Sequence, residues 1–583
     1  MNTSTRFPSR SSFVIFAAAI FLAGAFAPMA NAQTTRIEDR LPPETFFFMK
    51  WTGSTSLQNA MAKNHLLQLL ADPDLAPLEI GAADYLGKSF AKQNQGKPDV
   101  LFPEFVSLLQ NPVIIGFTEP RNPGGASAEN SSKNSAGVYF VYDATGKKDL
   151  LDKLDVQSRS KNKDSRKYSK YDFGGTTVNV EEGAAENTYD AYAGSYFISS
   201  NQKALTEDLI TRFRSSDFPA KSLTQRAEYL ESRKYAGGNA CIEFFGWMPD
   251  LAKMIPPDPK NPTTGRIVQG LHLEKIHAFA FSIDLSNEAT RTRGALLGDA
   301  SPGTIFDLFG SSTANFDTMP TVGSSPSFQI SRINPAGLYN YVLGAVQGNL
   351  PPQQDASLKA TQGMAQGYLG MSLGDALGLF PGEFSQVSFY TPEGNEEKLY
   401  GIAIQKPEDV LRILRATAAT FTLSEDTSGT TTFLDLTFPY KDPSSGMERR
   451  NFYYLAVTPH MLLAAPRKAM VRDAIARMNG GSAGTAANGL MTMPEFAQAR
   501  AALPKNLSGF SAADFRQIPL DKLLANFVNA MTLIAKQSKS SEPPPDFTFL
   551  KSFKTETITR HVHYSVGGWW KDSNGVYFDS SFQ

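Results

Sequence analysis

The feature that most restricts what this chain can fold into is a segment that occurs twice. Residues Ser195–Phe213 return as His460–Met478 without a gap, at a constant offset of 265 positions. Lys203, Ala204, Asp208, Ile210 and Arg212 recur as Lys468, Ala469, Asp473, Ile475 and Arg477. Each copy reads as an apolar strand, a short polar turn and an amphipathic helix. Further pieces keep the same order. Leu101–Phe105 is matched by Leu379–Phe384, Gly137–Tyr142 by Lys398–Ile404, and Gly175–Glu181 by Gly429–Leu436. Glu228–Arg233 is matched by Glu495–Arg500, and hairpin patterns close both halves, at Ile276–Leu297 and Val562–Phe582. The order predicts a tandem duplication.

A chain of 583 residues also exceeds the roughly 250–300 residues at which one core stops growing. The expected organisation is a first module at 33–298, a Gly/Ser/Pro-rich connector at 299–325 and a second module at 326–583. With 41 Phe and 20 Tyr, the chain can build sizeable cores, and global disorder is excluded.

Residues 1–32 read as a signal peptide. Arg6 and Arg10 precede an apolar run at Phe13–Ala27, and Ala30-Asn31-Ala32 supplies a small-x-small cleavage site before Gln33. The run is shorter than the roughly 20 residues that span a bilayer, so the expectation is export to the periplasm or the cell exterior after cleavage near Ala32, with no transmembrane segment in the mature chain. Cleavage would leave 54 basic against 57 acidic residues, a net charge of −3. That balance argues against a nucleic-acid partner. Cys241 is the sole cysteine, so an intramolecular disulfide is impossible and stability must come from packing. Its setting in the apolar run Ala240–Phe245 predicts a buried, inert thiol.

The strand and helix patterns point to an α+β fold, with two homologous modules that each carry a mainly antiparallel sheet covered by amphipathic helices. Strands and helices do not alternate strictly, which disfavours a doubly wound parallel sheet. An outer-membrane barrel is disfavoured by the helical content. The strand opening at Leu41-Pro42-Pro43-Glu44-Thr45, the signal sequence and the paired strand–helix–strand–strand–helix modules resemble a family of bacterial exported proteins known only as a domain of unknown function. That resemblance implies the layout over most of 41–583 and carries no catalytic residues.

Each candidate for chemistry has a plainer reading. Ala82–Ser89 approaches a phosphate-binding loop, but Gly81 sits one residue too early and no buried strand precedes it. His561 and His563 alternate as on one face of a strand, and His277 or Asp579 would have to supply further metal ligands; a solvent-facing pair is the plainer expectation. His65, His272 and His460 are scattered. Ser-x-x-Lys occurs at Ser160–Lys163 in a charged connector, which cannot desolvate a lysine to make it a base. The adjacent pairs Glu181/Glu182 and Glu396/Glu397 point to opposite strand faces, so neither pair can flank one glycosidic bond. The basic connector Arg159–Tyr171 is a solvated loop or a dock for acidic polysaccharide or anionic lipid, and its counterpart Ser424–Gly429 is acidic and short. Trp569 and Trp570 alternate across a strand, so one indole is expected to be buried and the other to lie at an edge.

The sequence therefore assigns no catalytic, cofactor-binding or metal-ligating residue and no cofactor. It points to a non-catalytic exported binding or scaffold protein of the cell envelope. Its partner classes are envelope polysaccharide, lipid or another envelope protein. The alternatives are a carrier holding an apolar ligand or lipid in a groove, and a secreted hydrolase whose carboxylates converge from distant segments.

Overall fold

The computed structural model describes residues 37–583 except 94–99, 120–135, 163–165, 184–186, 215–220, 237–239, 250–261, 302, 311–321, 324, 418–421, 442–447, 481–489, 491–492, 538–549 and 551–553. The expected signal peptide at 1–32 and part of the connector at 299–325 lie outside the described residues. The fold is α+β, and its paired strands run antiparallel. The chain divides into two compact units. One comprises 1–255, 277–295 and 545–553; the other comprises 256–276, 296–544 and 554–583.

In the first unit the strands are β1 Thr45–Trp51, β2 Val113–Thr118, β3 Gly137–Asp143, β4 Lys167–Phe173, β5 Thr176–Glu182, β6 Asn187–Ala193, β7 Tyr196–Ser200, β8 Ile242–Trp247 and, apart from Ile276 and 296–298, β9 Ile276–Asp284 and β10 Thr290–Gly298. Helices of eight or more residues are α1 Ala76–Gln93, α2 Lys148–Asn162, α3 Lys203–Arg214 and α4 Ala227–Ala236. The sheet order is β4-β5-β6-β7-β3-β2-β1-β8-β9-β10.

In the second unit the strands are β11 Ser327–Arg332, β12 Glu383–Tyr390, β13 Glu396–Ala403, β14 Thr422–Ser428, β15 Thr431–Lys441, β16 Glu448–Val457, β17 Met461–Ala465, β18 Gly509–Asp514, β19 Tyr564–Asp572 and β20 Gly575–Phe582. Its longer helices are α5 Pro262–Gly270, α6 Pro335–Val346, α7 Pro352–Leu369, α8 Pro407–Thr417, α9 Lys468–Met478, α10 Pro494–Ala501 and α11 Leu520–Gln537. The sheet order is β14-β15-β16-β17-β13-β12-β11-β18-β19-β20. Strand for strand, this repeats the order of the first unit.

The segment that recurs in the sequence is β7 with α3 and β17 with α9. Its repeated residues are mostly structural. In α3 the buried Leu205, Leu209 and Ile210 face the sheet, and in α9 Met470, Val471 and Ala474 do the same. Arg212 is buried, binds Asp208 one turn earlier at 3.0 Å, and donates to the Lys221 carbonyl. Lys203 lies over the Tyr171 ring, whereas Lys468 reaches Asp435.

Helices cover both faces of the β4–β7 stretch. Tyr168 packs under Arg159 of α2, and Tyr192 donates to Asp152 of α2. On the opposite face Tyr171 meets Lys203, and Tyr196 meets Phe213 of α3 at 4.8 Å. The second unit does the same, with Arg415 of α8 on Glu425 and Lys468 of α9 on Asp435. Successive strand residues face opposite ways, so a strand with a helix on each side loses the simple apolar–polar alternation.

Two element boundaries are set by local geometry, and one expectation changes. Tyr192–Ser199 comprises the end of β6, a turn and the start of β7, because Gly194 adopts φ +62 and reverses the chain. The helical stretch from Ser54 to Leu70 is broken after Met61, and Asn64 caps the piece at His65–Leu70 by accepting from Leu67 N–H. The charged connectors at 159–171 and 424–429 are largely ordered structure: the end of α2 with β4, and β14. The hairpin predicted at Asp572–Gly575 is present, with β19 and β20 joined through Ser573 and Asn574.

Candidate functional site

Two clusters of ionisable side chains stand out, both in the first unit. The denser one begins on β1, where Phe48 and Lys50 share the face covered by α4. Lys50 is directly opposite Glu243 of β8 in the ladder. Its ammonium lies 2.8 Å from Glu243 Oε2 and 3.0 Å from Glu38 Oε1, the latter on a single helical turn at Ile37–Arg40. Arg233 of α4 closes the group, at 3.5 Å from Glu38 and 3.8 Å from Glu243. Tyr229 donates to Glu243 Oε1 at 3.1 Å, and its ring supports the Arg233 guanidinium.

Two cations and two anions are thus removed from water together. Lys50 is 7% exposed, and Glu38 and Glu243 are each 2% exposed. Burial would raise the Glu38 carboxyl, but the Lys50 charge and hydrogen bond, with Arg233 behind them, hold it below its ordinary value. Burial would lower the Lys50 ammonium, yet Glu243 and Glu38 raise it above its usual value. A lysine held protonated this firmly is neither a nucleophile nor a base. The cluster is chemically closed, and its role is to fix β1, β8, α4 and the opening turn against one another.

The second cluster lies under α2. Burial pushes the Asp190 carboxyl of β6 up to about 6; a hydrogen bond from Ser199 opposes this, the charges of Asp155 and Glu181 add to it, and Arg159 opposes it. Arg159 is held by Asp155 at 2.8 Å and lies over the Tyr168 ring, while Glu181 is paired with Arg166 at 2.7 Å. Among the described carboxyls whose pKa is displaced, Asp190 is the one raised toward neutrality.

The residues singled out in the sequence do not converge. Ala82–Ser89 lies inside α1, where Lys88 pairs with Asp84 one turn back, so no phosphate-cradling loop exists there. His561 and His563 are not on a strand. They occupy the turn between a short helix at Thr555–Thr559 and β19, fixed by the bond from His561 N–H to the Ile558 carbonyl. His277 is exposed on β9 against Trp247, and Asp579 is buried on β20. Among the described residues no group of three or more His, Cys, Asp or Glu is placed to hold a metal ion. Ser160 lies in the last turn of α2, and Lys163 lies outside the described residues. Glu396 meets Lys398 and Ser388, and Glu397 meets Arg467. Trp569 and Trp570 are both half-buried, the first donating to Ser331 and the second stacked on Tyr577 at 5.5 Å.

Cys241 is 2% exposed and donates to the Ile283 carbonyl. Burial, with Asp284 nearby, pushes its thiol up to about 12. The native protein is therefore expected to consume no thiol reagent such as DTNB at pH 8 until it is unfolded; stoichiometric labelling of the folded chain would contradict this burial.

The buried cluster had a faint sequence signal. Lys50 and Glu243 are lone charges within the apolar runs Phe46–Trp51 and Cys241–Phe245. A charge on the inward face of such a strand requires a buried partner. Among the described residues no helix is long and apolar enough to cross a membrane. No family model, no curated protein and no solved structure matches this chain.

Proposed function

We propose that the chain is an exported, non-catalytic binding or scaffold protein of the cell envelope, built from two modules descended from one ancestor and related to the exported family it resembles. The observation that carries the reading is the common ten-strand order of the two units, with a recurring segment whose offset never slips over β7–α3 and β17–α9.

What the modules do not share also supports it. Carried from β7 and β17 through the ladders, the 265-residue offset aligns Phe48 with Phe328 and Phe245 with Ala512, so Lys50 and Glu243 correspond to Ile330 and Phe510. Phe48 meets Tyr229 with ring centroids 5.8 Å apart, and Phe328 meets Phe496 at 6.4 Å. The packing frame recurs while the buried charges around it differ. That is the pattern of a scaffold whose polar interior is free to vary.

Export and binding are tested together. The chain recovered from the extracytoplasmic fraction is expected to begin at Gln33, and cross-linking in the intact envelope is expected to join it to a protein, glycan or lipid. An uncleaved intracellular chain would overturn the localisation. Turnover of an envelope polymer that Asp190→Asn abolishes would overturn the non-catalytic reading in favour of a hydrolase.

A further inference from the structure

The outer strand of each unit is bare on one side. Among the described residues β4 pairs only with β5, and β14 only with β15. The far side of each offers main-chain N–H and C=O groups to another strand. The two edges carry opposite charge. Lys167 and Lys170 are exposed on β4, and Glu425 and Asp426 are exposed on β14. Charge on an edge strand ordinarily repels a like edge, but here each edge is matched to the other.

We propose that β4 of one copy adds antiparallel to β14 of a second copy, so that the protein assembles head to tail. Both strands are seven residues long. Full overlap places Lys167 opposite Ser428, Phe173 opposite Thr422, and Lys170 directly opposite Glu425. Ser169 then faces Asp426, with Lys167 on its diagonal, within reach of a long side chain. Asp172, the one acid on β4, faces Leu423 and already accepts from Gly175 N–H in its own turn.

The faces agree as well as the charges. Directly opposed residues in a ladder share a face. Lys170 shares its face with Tyr168, which lies under Arg159 of α2. Glu425 is on the face of α8, held by Arg415 at 2.6 Å. The continued sheet therefore keeps α2 of one copy and α8 of the other on the same side.

The same overlap rejects the symmetric alternatives. A β4–β4 pair would set Lys170 against Lys170, and a β14–β14 pair would set Glu425 against Glu425. Only the unlike pairing brings opposite charges together. A contact between unlike surfaces leaves one edge of each kind unused, so it propagates into a ring or an open filament. This inference does not depend on the binding partner proposed above and stands if that reading fails.

Sedimentation velocity of the full mature chain at low salt tests it. Oligomers are expected to grow with protein concentration and to recede as salt is raised. The double variant Lys167→Glu/Lys170→Glu has two acidic edges, and Glu425→Lys/Asp426→Lys has two basic edges. Each alone is expected to weaken association by at least about tenfold, and an equimolar mixture is expected to associate again. Circular dichroism and the thermal midpoint check that both remain folded; should either unfold, Lys170→Gln alone carries the test. A wild-type chain that stays monomeric at every concentration overturns the proposal. So do charge-reversed variants that associate like wild type, or a mixture that does not recover association.

Discussion

Lys50→Met is expected to lower the unfolding free energy by about 3–5 kcal/mol, the usual cost of breaking a buried ion pair from one side. The substituted side chain fits the space, so the loss comes from charge rather than volume. Glu38 and Glu243, each 2% exposed, would be left with Arg233 alone at 3.5 and 3.8 Å. Removing Glu38 as well, in Lys50→Met/Glu38→Gln, restores a balanced Glu243–Arg233 pair and is expected to recover most of the loss. Recovery of that kind distinguishes charge imbalance from a packing defect. Urea titration followed by tryptophan fluorescence reads the effect, because Trp51 and Trp247 both belong to the affected unit. A single-variant loss below about 1 kcal/mol would contradict the arrangement, since that is the range of exposed pairs.

The same cluster sets a pH window. Glu38 is held below its ordinary pKa, so its contribution is present above the unfolded value and is lost as pH falls through the folded one. Lys50 is held above its ordinary pKa, so its contribution is complete below the unfolded value and is lost as pH rises through the folded one. Between the two, the four charges stabilise one another.

How far the sequence revealed this structure varies by element. The recurring segment placed β7, α3, β17 and α9 because a buried strand followed by an amphipathic helix is a local pattern. The closing hairpins were legible because Asn574-Gly575 is a strong turn signal. β4 and β14 were not, since strands paired on one side and charged on their exposed positions look like connectors. The turn between β6 and β7 is hidden in the sequence because neither side of Gly194 changes in apolar character. The Glu38–Lys50–Arg233–Glu243 cluster lay further out of reach: its members are separated by up to 205 positions. Periodicity reports which face of an element is buried, not which other element covers it.

Asp190→Asn is expected to act in the opposite direction and stabilise the protein at pH 7 by about 2–3 kcal/mol. The Asp190 carboxyl sits at about 6 against an ordinary 3.8, and each unit of such a difference corresponds to about 1.4 kcal/mol between the two protonation states. Burial is the main cause, with Asp155 and Glu181 adding to it. The sign follows from linkage. A carboxyl raised on folding is a burden wherever it must be ionised, so the wild-type unit carries that burden at neutrality and sheds it as pH falls through about 6 toward the unfolded value. Asparagine has no charge to bury, and its amide can keep a hydrogen bond to Ser199. The stabilisation should therefore be largest at pH 7 and vanish near pH 4. Thermal unfolding of the two chains across that interval checks it, with curves that converge at the acid end. Parallel curves would mean that the gain comes from something other than the charge, and a destabilised variant at pH 7 would mean that the ionised carboxylate makes a contact strong enough to outweigh its burial.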